Sequence, residues 1–385
     1  MDIKALAQDA APYVVERRHY YHQHPELTGE EKNTRDAIHR DLEALGITDI
    51  RDMVNCYGLV ATIHGGKPGK TVGLRADTDA LSFQEETGLP FASCEPGKMH
   101  ACGHDTHIAM LLGAAKLLQE HREELRGDVR LIFQPAEEMS PVGGSRGMLH
   151  SGYMDDVEAV FGLHVWPDLP HGKIGVKAGP LMAATDHFTI NIHGKTAHGA
   201  KPNQGIDAVV LGSQFVMAAQ TIVSRKVDPL DNAVVTFGIF NAGTRYNIIA
   251  GDCTLDGTVR TLNEDTRAMI EDSMRKTLDG LCLQSGATAD INYGHGYPAL
   301  VNHEEDAELI RNTAIKLFGK DDVVDVKLPA MPAEDFSFYQ QYVPGLFFFL
   351  GTGDTPQLHA PDFTFDDEAV LPRGVEFLKK LLMLP

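Results

Sequence analysis

The chain has 385 residues, enough for two or three domains at about 150 residues each. Its 43% hydrophobic and 23% charged residues are those of a globular protein whose core needs no disulfide staples. Lysine and arginine number 34 against 54 aspartates and glutamates, a formal charge of −20, which argues against a nucleic-acid-binding or polybasic membrane-binding role. No stretch of roughly 18 apolar residues offers a transmembrane helix. The opening Met1-Asp2-Ile3-Lys4-Ala5 lacks the basic and apolar regions of a secretory signal. Five scattered cysteines, Cys56, Cys94, Cys102, Cys253 and Cys282, fit reduced thiols in the cytoplasm. The 18 histidines are the unusual feature.

In chain order, helical spacing covers residues 3–23. A second helix is expected from Thr28, with Glu31 completing a capping box, and ends before Gly46. Apolar runs at 58–63 and 71–74 flank the turn Gly65-Gly66-Lys67-Pro68-Gly69. A polar loop over 84–99 leads to a long helix at 105–125, and buried-type strands follow at 129–133 and 160–165. This alternation predicts an α/β domain with a central mixed, largely parallel sheet flanked by helices. Near Asp186 the pattern changes. Strand 187–192, helix 205–224, strands 233–240 and 252–261, helix 264–283 and strand 288–293 give β-α-β-β-α-β, the ferredoxin-like order. After Tyr297 come helix 304–318, strand 322–327, an apolar run at 345–350 and a closing helix from about Asp366. The expected organisation is a discontinuous catalytic domain, 1–185 and 296–385, interrupted by an inserted α+β domain at 186–295.

Four constellations could carry chemistry. Met99-His100-Ala101-Cys102-Gly103-His104-Asp105-Thr106-His107 puts a thiol and an imidazole two positions apart before a helix. Those are donors that divalent transition metals prefer, and a helix N-terminus would lower the thiol pKa. A polar loop with Asp105 as helix cap is the plainer reading. Gln134-Pro135-Ala136-Glu137-Glu138 sets two carboxylates after a buried strand, where open α/β sheets place ligands. In extended geometry they would point apart, one towards metal and one free as a base. A solvated acidic loop is the alternative. His164 ends an apolar strand beside the only tryptophan, Trp166, and His359 lies in the loop before the last helix. A core histidine and a surface-loop histidine are the alternatives there. Together these donors exceed one tetrahedral zinc and suit two metals sharing a water.

The motifs continue along the chain: His22-Gln23-His24-Pro25-Glu26-Leu27, Arg75-Ala76-Asp77-Thr78-Asp79-Ala80, Gly162-Leu163-His164, Lys195-Thr196-Ala197-His198-Gly199, Ala333-Glu334-Asp335-Phe336 and Leu358-His359-Ala360-Pro361. With them the chain resembles the aminoacylase and carboxypeptidase-G type family of two-metal peptidases. The likeness is nearest the amidohydrolase branch of N-acyl-amino-acid amidohydrolases, hippurate hydrolases and plant auxin-conjugate hydrolases. The resemblance implies a catalytic domain with an inserted lid or dimerisation domain. It implies Cys102, His104, Glu138, His164 and His359 as metal ligands and Glu137 as general base. The implied cofactor is a pair of divalent ions, manganese favoured over zinc, nickel or cobalt.

By the same resemblance Asp79 either supports the metal site or serves as a structural hydrogen-bond acceptor, and His22 and His24 are structural. His198 would reach the partner subunit's site in a homodimer and donate to the developing oxyanion, and Asn247 and Arg260 would hold the substrate carboxylate. A surface salt bridge is the plainer reading of Arg260. The run 139–147 after Glu138 departs from the shorter Gly-rich stretch of many relatives. The implied reaction is hydrolysis of a small N-acyl-L-amino acid to a carboxylic acid and a free amino acid. The rival activities are N-acetyl-diaminopimelate deacetylation and dipeptide or carboxy-terminal cleavage. A non-catalytic metal-binding relative is a further alternative, weakened by the intact Glu137–Glu138 pair. No nucleotide-binding glycine motif is present.

Overall fold

A computed structural model describes residues 3–381; Met1, Asp2 and 382–385 lie outside it, including the first two residues of the N-terminal run read above. The chain divides into two compact units. The first is Met1–Leu181 with Val301–Leu328 and Asp335–Pro385, and the second is Met182–Leu300 with Pro329–Glu334. The breaks fall a few residues outside the 185/296 junctions read from the sequence, and the short segment 329–334 groups with the insert.

In the first unit eight strands form one mixed sheet. Its order is Asp49–Asp52, Leu59–Ile63, Val129–Gln134, Thr71–Asp77, Val157–Trp166, Gly345–Gly351, Ile174–Val176 and Val323–Asp325. The four central strands, Val129–Gln134 through Gly345–Gly351, run parallel to one another. Val129–Gln134 and Gly345–Gly351 are buried along their whole length, as strands covered on both faces must be. The helices Ile3–Gln23, His104–Glu120 and Asp367–Leu381 pack against one another. Helix His104–Glu120 is buried nearly all round. The functional candidates Asp79, Glu137 and His164 lie at or just beyond the carboxyl ends of parallel strands, where side chains from neighbouring strands converge.

The second unit has four antiparallel strands in the order Ala233–Ala242, Asp252–Thr261, Ala184–His193, Thr288–His295. In chain order these are the second, third, first and fourth, the ferredoxin-like arrangement. Helices Ala208–Lys226 and Glu264–Ser285 cover one face around Phe188, Ile190, Phe215, Leu255 and Ile270. Each helix starts on a side-chain cap: Asp207 accepts from the Val209 amide at 3.0 Å, and Asn263 from the Thr266 amide at 2.7 Å.

Two local expectations fail because partners distant in sequence recruit the polar groups. The second helix starts at Lys32, and Glu31 makes no side-chain capping bond. Thr28 donates instead to Asp79 Oδ2 at 2.7 Å, and Glu31 accepts from the Ala136 amide. Asp105 does not cap its helix; the N-cap is Gly103. Asp105 is fully buried and accepts from Arg18 Nε at 3.0 Å, and its Oδ2 lies 2.8 Å from His22 Nδ1. Burial opposes ionisation of Asp105, but Arg18 and His22 hold its pKa far below the usual carboxylate range. His22 is thus structural, and His24 is exposed.

Because its folded pKa is depressed, ionised Asp105 contributes stability above the pKa of an unfolded aspartate, and the contribution fades as pH falls. We expect Asp105→Asn to cost roughly 1–3 kcal/mol near neutral pH by removing one of the two carboxylates, Asp105 and Asp367, that pair with buried Arg18. The deficit in urea unfolding should narrow below about pH 4, where unfolded aspartates protonate. A pH-independent deficit would contradict the assignment.

Candidate metal centre

Cys102 and His104 are set by the glycine between them. Gly103 has φ 85°, and a Cβ there would meet Val165 Cγ2 at 2.6 Å. Only glycine turns the backbone here so that both donors face one place. His104 Nδ1 donates to the Asp79 carbonyl at 2.9 Å, which leaves Nε2 facing inward, buried and without a hydrogen-bond partner. His164 is held alike: Nδ1 donates to the Val165 carbonyl at 2.7 Å, and Nε2 lies 3.4 Å from Cys102 Sγ. Donors about 2.3 and 2.0 Å from one ion stand about 3.5 Å apart at a tetrahedral angle. Fixing one ring nitrogen so that the other presents its lone pair is the usual preparation of a metal-binding imidazole.

The acidic side is built on a turn, not on an extended strand. Ala136 has φ 59°, and the following amides of Glu137 and Glu138 donate to Asp79 Oδ1 at 3.1 Å and Oδ2 at 3.0 Å. The two glutamates therefore do not point apart as extended geometry would have them. An oxygen of each lies within 4.8 Å of a His104 ring nitrogen and of the other. His359 also has positive φ, 61°, and its amide donates to the Ala101 carbonyl at 2.8 Å. Ala136 and His359 are the two non-glycine residues with positive φ among the described residues, and both serve this cluster. His359 Nε2 lies 3.0 Å from Glu138 Oε1.

Three overlapping groups result, each with donor atoms within 4.8 Å: Cys102, His104 and His164; Cys102, Glu138 and His359; and His104, Glu137 and Glu138. The first group is buried, whereas His359 is exposed, so the cluster opens to solvent on that side. The donor chemistry fits two divalent cations: a thiol, three imidazoles and a carboxylate, with a second carboxylate alongside.

The electrostatics fit as well. Burial raises the Cys102 thiol well above its ordinary value, and the charges of Glu138, Glu137 and Asp77 add to the rise. The helix N-terminus does not overcome this, contrary to the sequence reading. Burial alone would lower His104, but Asp77 and Asp79 raise it to about 10. Burial and the neighbouring His107 push His164 well down, which favours the neutral imidazole that a cation needs.

Three supporting residues went unassigned in the sequence reading. Asp77 Oδ1 accepts from His107 Nδ1 at 2.5 Å, and His107 Nε2 accepts from the Val165 amide at 3.1 Å. Arg75 bridges Asp77 Oδ2 at 2.6 Å and Asp335 Oδ1 at 2.8 Å. Asp77, Arg75 and His107 lie inside motifs read above, but i, i+2 spacing does not say which carboxylate faces inward.

In the second unit, His198 is exposed and pairs across a two-residue ladder with Ile248, which brings it next to Asn247. The Asn247 carbonyl accepts from the Gly199 amide at 2.9 Å, and its side-chain Oδ1 is buried without a partner. Arg260 forms no ion pair among the described residues; its Nη1 donates to the Thr185 and Thr258 hydroxyls. The surface-salt-bridge alternative is therefore not observed.

The sequence profile described as peptidase family M20/M25/M40 matches residues 73–384. The chain is 42% identical over 392 residues to an N-acetyl-L-cysteine deacetylase of Bacillus subtilis (strain 168), covering 99% of this chain and 93% of the relative. It is also 42% identical over 304 residues to an N-acyl-L-amino acid amidohydrolase of Geobacillus stearothermophilus, covering 79% and 82%. A crystal structure of a Bacillus subtilis protein described as a dinuclear metal-binding peptidase superposes with a TM-score of 0.86 at 37% identity, covering 97% of this chain and 98% of that one.

Loading a cation must displace the protons that Cys102 and His104 hold at neutral pH. We expect calorimetric titration of the metal-free chain with Mn²⁺ or Zn²⁺ to release protons, with affinity rising from pH 6 to pH 9. A binding heat independent of the buffer's ionisation enthalpy would contradict this.

Proposed function

The chain belongs to peptidase family M20/M25/M40, and from that premise we propose that it hydrolyses the amide bond of N-acyl-L-amino acids to a carboxylic acid and a free amino acid. The observation that carries the reading is the convergence of Cys102, His104, Glu138, His164 and His359 with Glu137 beside them. We assign the first five as ligands of two divalent cations, manganese favoured. Bound cations would supply Lewis acidity for the amide carbonyl and for a water. Glu137 takes a proton from the attacking water and delivers it to the amine nitrogen as the C–N bond breaks. Asp79 does not touch the reacting atoms in this reading. It positions Glu137 and Glu138 through their amides and His104 through its carbonyl.

His198 donates to the developing oxyanion in the site of the partner subunit, and Arg260 and Asn247 receive the substrate carboxylate. A guanidinium without a carboxylate partner among the described residues supports that role for Arg260. The names of the deacetylase and amidohydrolase relatives support the substrate class.

We further assign 182–300 as a dimerisation and lid domain and the working form as a homodimer. The outer strand Ala233–Ala242 and the helix Ala208–Lys226 packed beside it leave Val209, Met217, Ile239 and Phe240 exposed. Such a sheet edge with an apolar face suits a second copy of the chain. Light scattering behind size exclusion should give twice the chain mass, and Phe240→Glu should halve it. A monomeric wild type would contradict the assembly.

The function is tested by release of free amino acid from acetyl, benzoyl and indole-acetyl amino acids, N-acetyl-diaminopimelate and unblocked dipeptides, with chelator controls. Chelator-sensitive turnover confined to blocked amino acids is expected. Turnover confined to dipeptides would overturn the substrate class. Glu137→Gln should lose about 10²–10⁴-fold in kcat with its cation content unchanged. Wild-type turnover in that variant would remove Glu137 as the base.

A further inference from the structure

The turn that carries Glu137 and Glu138 rests on a second buried carboxylate. The Ala136 amide donates to Glu31 Oε1 at 2.9 Å, and the next two amides donate to the two oxygens of Asp79. Three consecutive backbone N–H groups thus face two carboxylates, a nest that a left-handed residue creates. That residue is Ala136, whose Cβ disfavours the positive φ it adopts.

Glu31 is fully buried, and its other oxygen has no hydrogen-bond partner. Burial pushes its carboxyl up to about 7, against the amides of Gly29 and Ala136, with the charge of Asp79 adding to the rise. A carboxyl taken out of water with one oxygen unpartnered is costly to folding. The other side of the turn is closed by backbone: a Cβ on Gly144 would meet the Pro135 carbonyl oxygen at 1.7 Å. The segment before Glu31 is tied to the same place, because Thr28 donates to Asp79.

We propose that Glu31 is a positioning residue for the hydrolysis: its carboxyl, through the Ala136 amide, holds the left-handed turn that places Glu137. The proposal rests on Glu137 being the base. Without the bond, Ala136 relaxes towards negative φ and the Glu137 peptide rotates with it. Glutamine keeps an acceptor oxygen at the same reach, so the role needs the oxygen and not the charge. A glycine at 136 adopts positive φ without steric cost, so it should replace what Glu31 provides.

The test compares wild type with Glu31→Ala, Glu31→Gln, Ala136→Gly and the Glu31→Ala/Ala136→Gly double variant, all loaded with Mn²⁺ and assayed on an N-acetyl amino acid. Glu31→Ala should lose roughly 10–100-fold in kcat with KM little changed. Glu31→Gln should recover most of the loss, and the double variant part of it. In the metal-free proteins, the Ala136 amide should exchange slowly in wild type and fast in Glu31→Ala. If Glu31→Ala does not fold, Glu31→Asp, which shortens the reach, takes its place with the same expected rescue by Ala136→Gly.

Undiminished kcat in Glu31→Ala would overturn the proposal. So would equal losses in the alanine and glutamine variants with no rescue by Ala136→Gly. If Glu137→Gln is inactive while Glu31→Ala is not impaired, this proposal alone fails. If Glu137→Gln keeps wild-type turnover, the assignment of the base fails instead.

Discussion

The carboxylate of Asp79 accepting the amides of both Glu137 and Glu138 is the contact on which the rest of the site depends. Asp79 lies just past the carboxyl end of strand Thr71–Asp77, and the glutamates lie just past that of Val129–Gln134. The two strands run parallel and adjacent, so their exits are neighbours in space although far apart in sequence. Asp79 also offers its backbone carbonyl to His104, which opens the next helix. One residue therefore sets a carboxylate pair and an imidazole relative to each other. The sheet supplies the rigidity, since both strands are largely buried and bonded on both sides.

The second governing fact is charge. Asp77, Asp79 and Glu137 are buried, Glu138 is nearly so, and a buried thiol stands among them. Arg75 answers part of this by bridging Asp77 and Asp335. His107 is held low by burial, only partly offset by Asp77, and His164 lower still. Burial first, and then the remaining negative charge, pushes the Cys102 thiol up, and the same charge raises the His104 imidazole against its burial. A largely buried cluster with such an imbalance is costly unless cations complete it. The donor atoms and the unmet charge are thus two views of the same requirement.

Much of the fold was legible in the sequence because the patterns were long. The apolar run at 345–350 is a strand buried along its whole length, and the β-α-β-β-α-β order of the insert follows from alternating hydrophobic periods. The candidate donors were legible because cysteine, histidine and paired glutamates are few and fall at strand and helix ends. Features that depend on conformation at one residue were not legible. Nothing in Pro135-Ala136-Glu137 announces a left-handed alanine, so the glutamates were expected to point apart. Thr28 and Glu31 have the letters of a capping box, yet the carboxylate of Asp79 and the buried amide of Ala136 take them elsewhere. Asp105 has the letters of a cap and instead pairs with Arg18, which lies 87 residues earlier in the chain. Such long-range pairings follow from packing, which local sequence rules do not encode.

The central claim is that Cys102 and its neighbours form a two-cation centre. It is tested most directly by titrating the metal-free chain with cobalt(II) and following the thiolate-to-metal charge-transfer absorption alongside bound-metal content. The account predicts two equivalents per chain and a charge-transfer band that disappears in Cys102→Ser while that variant stays folded. Saturation at a single equivalent, or a band unchanged in Cys102→Ser, would contradict it.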